Sequence, residues 1–307
     1  MMASPESHAI RATLVNDSDT PEVPPAVARQ EWEAAVAHVA LPATITFMPV
    51  DVAGMVGEWV SGPQARSHQV LFYLHGGGYT SGSCATHREL AARLCLASGV
   101  RVLLLAYRLA PEHPFPAAVH DAGAGYQWLL DQDIHPQDIV IGGDSSGGGL
   151  AIATLLWLRE HTLPLPAAGV LLSPWLDLTL AGPSMETHAK IDPLISRKGL
   201  QQAADWYMGS ADRSHPFASP LFAELSSLPP LFIQVGSDEV LLSDAIRLTE
   251  KVRASQGEVT LEVWDGMWHV WQAFAASVPE GQAAIEQIGV FIQQHLSART
   301  RIESEKC

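Results

Sequence analysis

The sequence predicts an α/β protein: a mostly parallel sheet flanked by helices, interrupted once by an insertion. Short apolar, β-branched runs alternate with helical periods along most of the 307 residues, as repeated strand–helix units require. The run Ile139-Val140-Ile141 then stops abruptly in glycine, and after Gly147-Gly148-Gly149 the chain is apolar almost all round over 150–158. A buried strand therefore turns sharply into a buried helix. Residues 178–225 break the rhythm and mark the insertion.

Each element can be justified in order. Residues 1–25 are polar and proline-bearing, and fraying is expected at the start. Pro25 suits a first helical position, and Ala28, Trp32, Ala35, Val36 and Val39 share one face of a helix over 25–40. Residues 45–50 and 56–61 alternate around Asp51-Val52-Ala53-Gly54, an antiparallel hairpin. Buried strands follow at 69–74 and 100–106, with helices at 86–98 and 118–130; the proline-rich stretch 107–117 forbids regular structure between them. A strand at 168–173 precedes the insertion, which carries a helical period at Leu200, Ala203, Ala204 and Tyr207. The rhythm resumes with a strand at 231–235 and a helix marked by Leu241, Ala245, Leu248 and Val252. A last strand at 259–264 and an amphipathic helix through Ala284, Ile288, Phe291 and Ile292 close the domain, and the charged tail from Ser297 is expected to be loose.

Composition narrows the function. A net charge of -15 argues against nucleic acid and anionic membrane surfaces and suits neutral small molecules. There is no apolar run of about 18 residues for a membrane span, and no basic start followed by an apolar stretch for a signal peptide. Cys84, Cys95 and Cys307 have no metal-ligand spacing and cannot all pair, so a reducing cytoplasm is expected. No histidine pair with a nearby acid has metal spacing either, and neither metal nor cofactor is expected.

The chemistry is expected at Gly143-Asp144-Ser145-Ser146-Gly147. A serine in a tight strand-to-helix turn is lifted above the sheet, and the flanking glycines spare neighbouring backbone a Cβ. The N–H of Ser146 would lie at a helix N-terminus, aimed at developing negative charge. A flexible loop or phosphate cradle is the bland alternative, but the lysine of a phosphate loop is missing. A second glycine run, His75-Gly76-Gly77-Gly78, follows a buried strand. Such a run costs chain entropy, and the N–H groups of Gly77 and Gly78 can face the serine as the other half of an oxyanion hole.

His75-Gly-Gly-Gly, Tyr107-Arg-Leu-Ala-Pro-Glu-His-Pro-Phe-Pro-Ala-Ala and Gly143-Asp-Ser-Ser-Gly-Gly, in that order, resemble the bacterial hormone-sensitive-lipase-like esterases over roughly residues 45–298. Ser146 departs from the family's usual alanine. The resemblance implies an α/β-hydrolase fold with a mostly parallel eight-stranded sheet and a helical cap. The cap would comprise residues 1–44 and 178–225, and the core 45–177 and 226–307. It also implies hydrolysis of short- to medium-chain carboxylic esters, and a homodimer, which the edge strand at 259–264 could form.

Acyl transfer at serine needs a base and a carboxylate to orient it, each after a strand and in the order serine, acid, histidine. Ser145, Asp238 and His269 satisfy the order. Asp192-Pro193-Leu194 spells the family's usual acid tripeptide, but no strand precedes it. After the strand at 231–235 the chain reads Asp238-Glu239, with glutamate where the family has proline, so Glu239 is the alternative acid; Asp244 reads as a helix residue. Met267, Trp268, Trp271 and Phe274 divide evenly between core packing and an apolar pocket wall. A lactone or other specialised ester hydrolase, or a non-catalytic binding homologue, remain the alternatives.

Overall fold

The computed structural model describes residues 3–16 and 23–304. Within the start expected to fray, residues 5–11 are helical, and residues 1–2 and 17–22 lie outside the described residues. Ser4 accepts the Ser7 N–H and caps helix α1 (Pro5–Arg11), and Ser4 and Ser7 both hydrogen-bond Glu280. Helix α2 (Pro25–Val36) begins at its proline, as expected, but stops four residues short of Ala40. The hairpin is β1 (Thr46–Val52) and β2 (Met55–Ser61), closed by Ala53 and Gly54 at φ 54° and 83°.

Then follow β3 (Arg66–Leu74), α3 (Cys84–Ser98), β4 (Val100–Leu105), α4 (Ala117–Asp131), β5 (Ile139–Asp144), α5 (Ser146–Glu160) and β6 (Ala168–Leu172). Helix α3 shows why such boundaries are sharp. Ser83 and Thr86 form a reciprocal capping box at its start, and Gly99, at φ 67°, ends it. Between β6 and the next strand lie α6 (Ser184–Thr187), α7 (Arg197–Met208), on the predicted helical period, and a single 3-10 turn at Pro220–Phe222. The chain closes with β7 (Leu231–Gly236), α8 (Leu242–Ala254), β8 (Val259–Trp264) and α9 (Pro279–Ser304). The tail expected to be loose from Ser297 is therefore helical to Ser304, and 305–307 lie outside the described residues.

The eight strands form one sheet in the order β1-β2-β4-β3-β5-β6-β7-β8, with antiparallel pairing only at β1–β2 and β2–β4. Both faces are covered, so strand residues alternate between two cores. Phe72, Leu74, Leu103, Ile139 and Ile141 pack with Tyr126, Leu129 and Leu155 from α4 and α5. Leu71, Tyr73, Leu104 and Val140 meet Leu94 of α3 and Ile288 and Ile292 of α9. Each large apolar side chain removed from water stabilises the sheet by about 1.5–3 kcal/mol. Among the described residues no helix is long and apolar enough to cross a membrane.

The 173–180 segment after β6 is fastened to α8 by Asp244. Its Oδ2 accepts the N–H groups of Leu176 (2.9 Å) and Asp177 (3.0 Å), while Oδ1 is buried without a hydrogen bond. Asp177 is equally buried and pairs with Arg247 at 2.8 Å. Burial first, and the Asp177 charge after it, push the Asp244 carboxyl up from 3.8 to about 7. A raised folded pKa means the native state holds a proton that the unfolded chain releases. The associated stability is full below the unfolded value and is lost as pH climbs through about 7. Asp244→Asn should therefore remove a pH-dependent stability difference on the order of a few kcal/mol between acid and neutral conditions. Calorimetric unfolding at several pH values checks this; parallel wild-type and variant profiles would contradict it.

Candidate active site

Ser145 sits between β5 and α5 at φ 53° and ψ −122°, a backbone region that side-chain-bearing residues avoid. The surroundings force this geometry. A Cβ on Gly147 would lie 2.0 Å from the Leu74 carbonyl oxygen and 2.5 Å from that of His75, and one on Gly143 would meet Gly147 backbone at 2.4 Å. The turn is so tight that only glycine fits on either side. Ser146 is the first residue of α5, so its N–H has no acceptor within the helix.

The serine does not stand alone. Ser145 Oγ lies 2.9 Å from His269 Nε2, and His269 Nδ1 lies 2.9 Å from Glu239 Oε2. With Nδ1 protonated to donate to the carboxylate, Nε2 is left to accept the serine proton. The other oxygen of Glu239 accepts from Ser173 Oγ and from the Gly236 N–H, both at 2.6 Å. Ser173 in turn accepts the Val270 N–H at 3.1 Å, so one hydroxyl ties the acid to the histidine loop. His269 is buried, and burial alone would lower its pKa. The hydrogen bond and charge of Glu239, joined by the charges of Asp192 and Asp144, outweigh it and hold His269 above its ordinary value.

The acid is where the sequence reading needs correction. Asp238, expected to orient His269, points away and pairs with Arg11 of α1 at 2.9 Å. Glu239 takes the position because neighbouring side chains in this turn diverge: Glu239 is fully buried, whereas the Asp238 carboxylate remains about a quarter exposed. Asp192 does not touch His269 by hydrogen bond, yet it is buried close enough to act on its charge.

Gly77 (φ 115°) and Gly78 (φ 64°) line the same cavity as Ser145 and His269. Among the described residues their N–H groups meet no acceptor. The loop is fixed from below by Asp144, whose Oδ1 accepts from Tyr73 Oη (2.9 Å) and the Gly76 N–H (3.1 Å), with His87 Nε2 3.2 Å away. His75 bonds the Gly76 carbonyl and stacks on Tyr107, so it shapes the loop, and burial with the nearby His87 charge lowers its pKa to about 3.

The cavity measures about 1120 Å³, with Trp32, Val36, Leu41, Leu194, Ile195 and Phe274 among its walls. Met267, Trp268 and Trp271 are fully buried in a core with Leu14 behind it, so of the four residues around the histidine only Phe274 reaches the cavity. Among the described residues no group of three or more His, Cys, Asp or Glu could hold a metal ion.

Comparison with known proteins agrees with this geometry. A family model described as an alpha/beta hydrolase fold matches residues 71–273. An acetyl-hydrolase of Streptomyces hygroscopicus is 41% identical over 95% of this chain and 97% of its own. An esterase of Acinetobacter venetianus is 39% identical over 81% of this chain and 82% of its own. The crystal structure of an esterase from the bacterial hormone-sensitive lipase family superposes with a TM-score of 0.91 at 44% identity, covering 96% of this chain and all of that one. The chain belongs to the hormone-sensitive-lipase-like esterases of the α/β-hydrolase superfamily. It is a carboxylic ester hydrolase.

Within this esterase the serine at 146 is accommodated. It is buried, and its hydroxyl accepts the Tyr79 N–H at 3.2 Å. Sequence reading missed Ser173, Asp144, His87 and Arg11. Ser173 follows a strand at the carboxyl edge of the sheet, which was a usable signal; His87 and Arg11 had none, because their roles depend on distant partners. Gly147→Ala should destabilise the esterase by at least about 3 kcal/mol, since the added methyl meets backbone that cannot rotate aside. Thermal unfolding checks this, and a variant with wild-type Tm would contradict the packing described.

Proposed function

We propose that Ser145 is the nucleophile, His269 its general base and Glu239 the acid that orients the histidine, in hydrolysis of short- to medium-chain carboxylic esters. The observation that carries this reading is the unbroken chain Ser145 Oγ–His269 Nε2 and Nδ1–Glu239 Oε2, at 2.9 Å in both links. Ser145 attacks the ester carbonyl while His269 takes its proton, and Glu239 stabilises the imidazolium. The N–H groups of Gly77, Gly78 and Ser146 receive the oxyanion, each worth about 2.7–4 kcal/mol of barrier. His269 protonates the departing alcohol, and water cleaves the acyl-enzyme by the same steps in reverse.

The 1120 Å³ apolar-walled cavity supports acyl chains longer than acetyl. Residues 1–44 and 178–225 form the cap in this reading. That is supported by Trp32 and Val36 from α2, and Leu194, Ile195 and Ala203 from the insertion, all on the cavity wall. Buried free Cys84 and Cys95 suit a cytoplasmic setting. A homodimer through β8 is supported by that strand's place at the sheet edge with Val263 half exposed.

A chain-length series of nitrophenyl esters tests the assignment. Turnover should peak at short to medium chains and fall roughly a million-fold in Ser145→Ala; turnover surviving in that variant would overturn the nucleophile. Glu239→Gln should lower kcat by roughly 10⁴-fold, as loss of the orienting carboxylate does in triad enzymes, whereas Asp238→Asn should leave kcat nearly intact. The reverse ranking would restore Asp238 as the acid.

The pH profile follows from the sign of the histidine shift. A raised pKa keeps the imidazole protonated, and unable to act as base, to higher pH. kcat/KM should therefore rise with pH through a value above the ordinary 6.5, measured as initial rates across buffers. A limb below that value would contradict the electrostatics described.

A further inference from the structure

Asp192 is part of the insertion, in the irregular stretch between α6 and α7, and its carboxylate is nearly fully buried. Oδ1 accepts the N–H groups of Leu194 (3.0 Å) and Ile195 (3.1 Å). Oδ2 accepts the N–H of Val240 at 3.0 Å, the residue directly after Glu239. Leu194 and Ile195 line the substrate cavity. The backbone carbonyls of Asp192 and Ile195 are held by Asn16 Nδ2 at 2.9 and 3.1 Å. One carboxylate thus joins the cavity wall to the turn that carries the acid.

Capping a turn does not need a charge; serine or asparagine serve as well. A carboxylate buried among neutral N–H donors costs solvation that those donors only partly replace. What sets this site apart is its neighbour. The titratable groups acting on His269 are Glu239 from the turn after β7, Asp192 from the insertion and Asp144 from the end of β5. Asp192 is held up by burial, lowered by the attraction of His269 and raised again by repulsion from Glu239. Three buried carboxylates therefore act on one imidazole, and only Glu239 hydrogen-bonds it.

We propose that Asp192 is a positioning residue for ester hydrolysis: it fixes the Glu239 turn to the cavity wall through its hydrogen bonds to Val240, Leu194 and Ile195, and contributes to the buried negative charge that favours the imidazolium formed when Ser145 gives up its proton. The proposal rests on the reading of Ser145, His269 and Glu239 as the triad. Its effect belongs in kcat, because the charge it answers exists in the transition state and not in the bound ester.

Asp192→Asn removes the charge and, with its one amide oxygen on the Leu194 turn, sets an NH2 group that cannot accept against the Val240 N–H. Asp192→Ser keeps a cap for the Leu194 turn but is too short to reach Val240, and it stands in should the asparagine variant fail to fold. With p-nitrophenyl butyrate, kcat should fall roughly tenfold in either variant while KM stays within about twofold. The acid limb of kcat/KM should move to lower pH, since a negative charge that favours the imidazolium is gone. A purely structural role would lower Tm and leave that limb in place. Folded variants with wild-type kcat and an unmoved limb would overturn the proposal. Fluorophosphonate labelling of wild type against Ser145→Ala separates the two levels: an unlabelled wild type would sink the triad reading and Asp192 with it. A labelled wild type whose Asp192 variants behave as wild type would sink the Asp192 proposal alone.

Discussion

The carbonyl oxygens of Leu74 and His75 occupy the space that a side chain on Gly147 would need. That closeness between the end of β3 and the start of α5 sets the rest of the site. It forces Ser145 into its unfavourable backbone conformation and raises the hydroxyl toward His269. The same approach brings the triglycine loop, which leaves β3 one residue later, beside the N-terminus of α5. Serine and loop N–H groups are therefore not positioned separately: both hang from one contact between neighbouring strands. Asp144 fastens it further, since it belongs to β5 yet accepts the Gly76 N–H and the Tyr73 hydroxyl from the β3 side.

This is also why so much of the site could be read in the chain. Where function depends on backbone packed against backbone, the requirement is written as glycine, and glycine is visible. Strand and helix periods were equally plain, because both faces of the sheet are covered and β8 runs over the residues its pattern suggested. The acid was less legible. Asp238 and Glu239 are adjacent and chemically alike, and only their directions distinguish them: one meets Arg11 from α1, the other His269. No local pattern encodes that choice. It depends on an N-terminal helix whose polar sequence gave little sign of order until Glu280, far along the chain, supplied a partner for Ser4 and Ser7.

The displaced aspartate has a consequence of its own. Since Asp238 is engaged by Arg11, and Arg11 also donates to the Ile191 carbonyl at 2.6 Å, α1 touches both the turn carrying the acid and the insertion. Asn16 extends the same contact to Asp192 and Ile195. These are partly exposed interactions, so the ion pair contributes little stability by itself. Their value is geometric: three segments distant in sequence converge within a few residues of His269, and a movement of any one is felt at the cavity wall.

The electrostatics of His269 show which effect wins there. A buried imidazole should resist protonation, because the cation loses its hydration. The inequality runs the other way here, since Glu239 bonds the ring directly and the charges of Asp192 and Asp144 add to it. In the mechanism proposed for Ser145 and His269, this balance suits a base that must hold a proton only briefly. Too few carboxylates would leave the imidazolium unsupported as Ser145 attacks; too many would keep the histidine protonated and remove the base. The chain meets this by grading the contacts. Glu239 touches the ring, Asp144 is neutralised in part by its bonds to Tyr73, Gly76 and His87, and Asp192 turns its oxygens to backbone N–H groups. An overall excess of acidic residues is thus compatible with the proposed histidine base, because the negative groups nearest to it are already answered by hydrogen-bond donors.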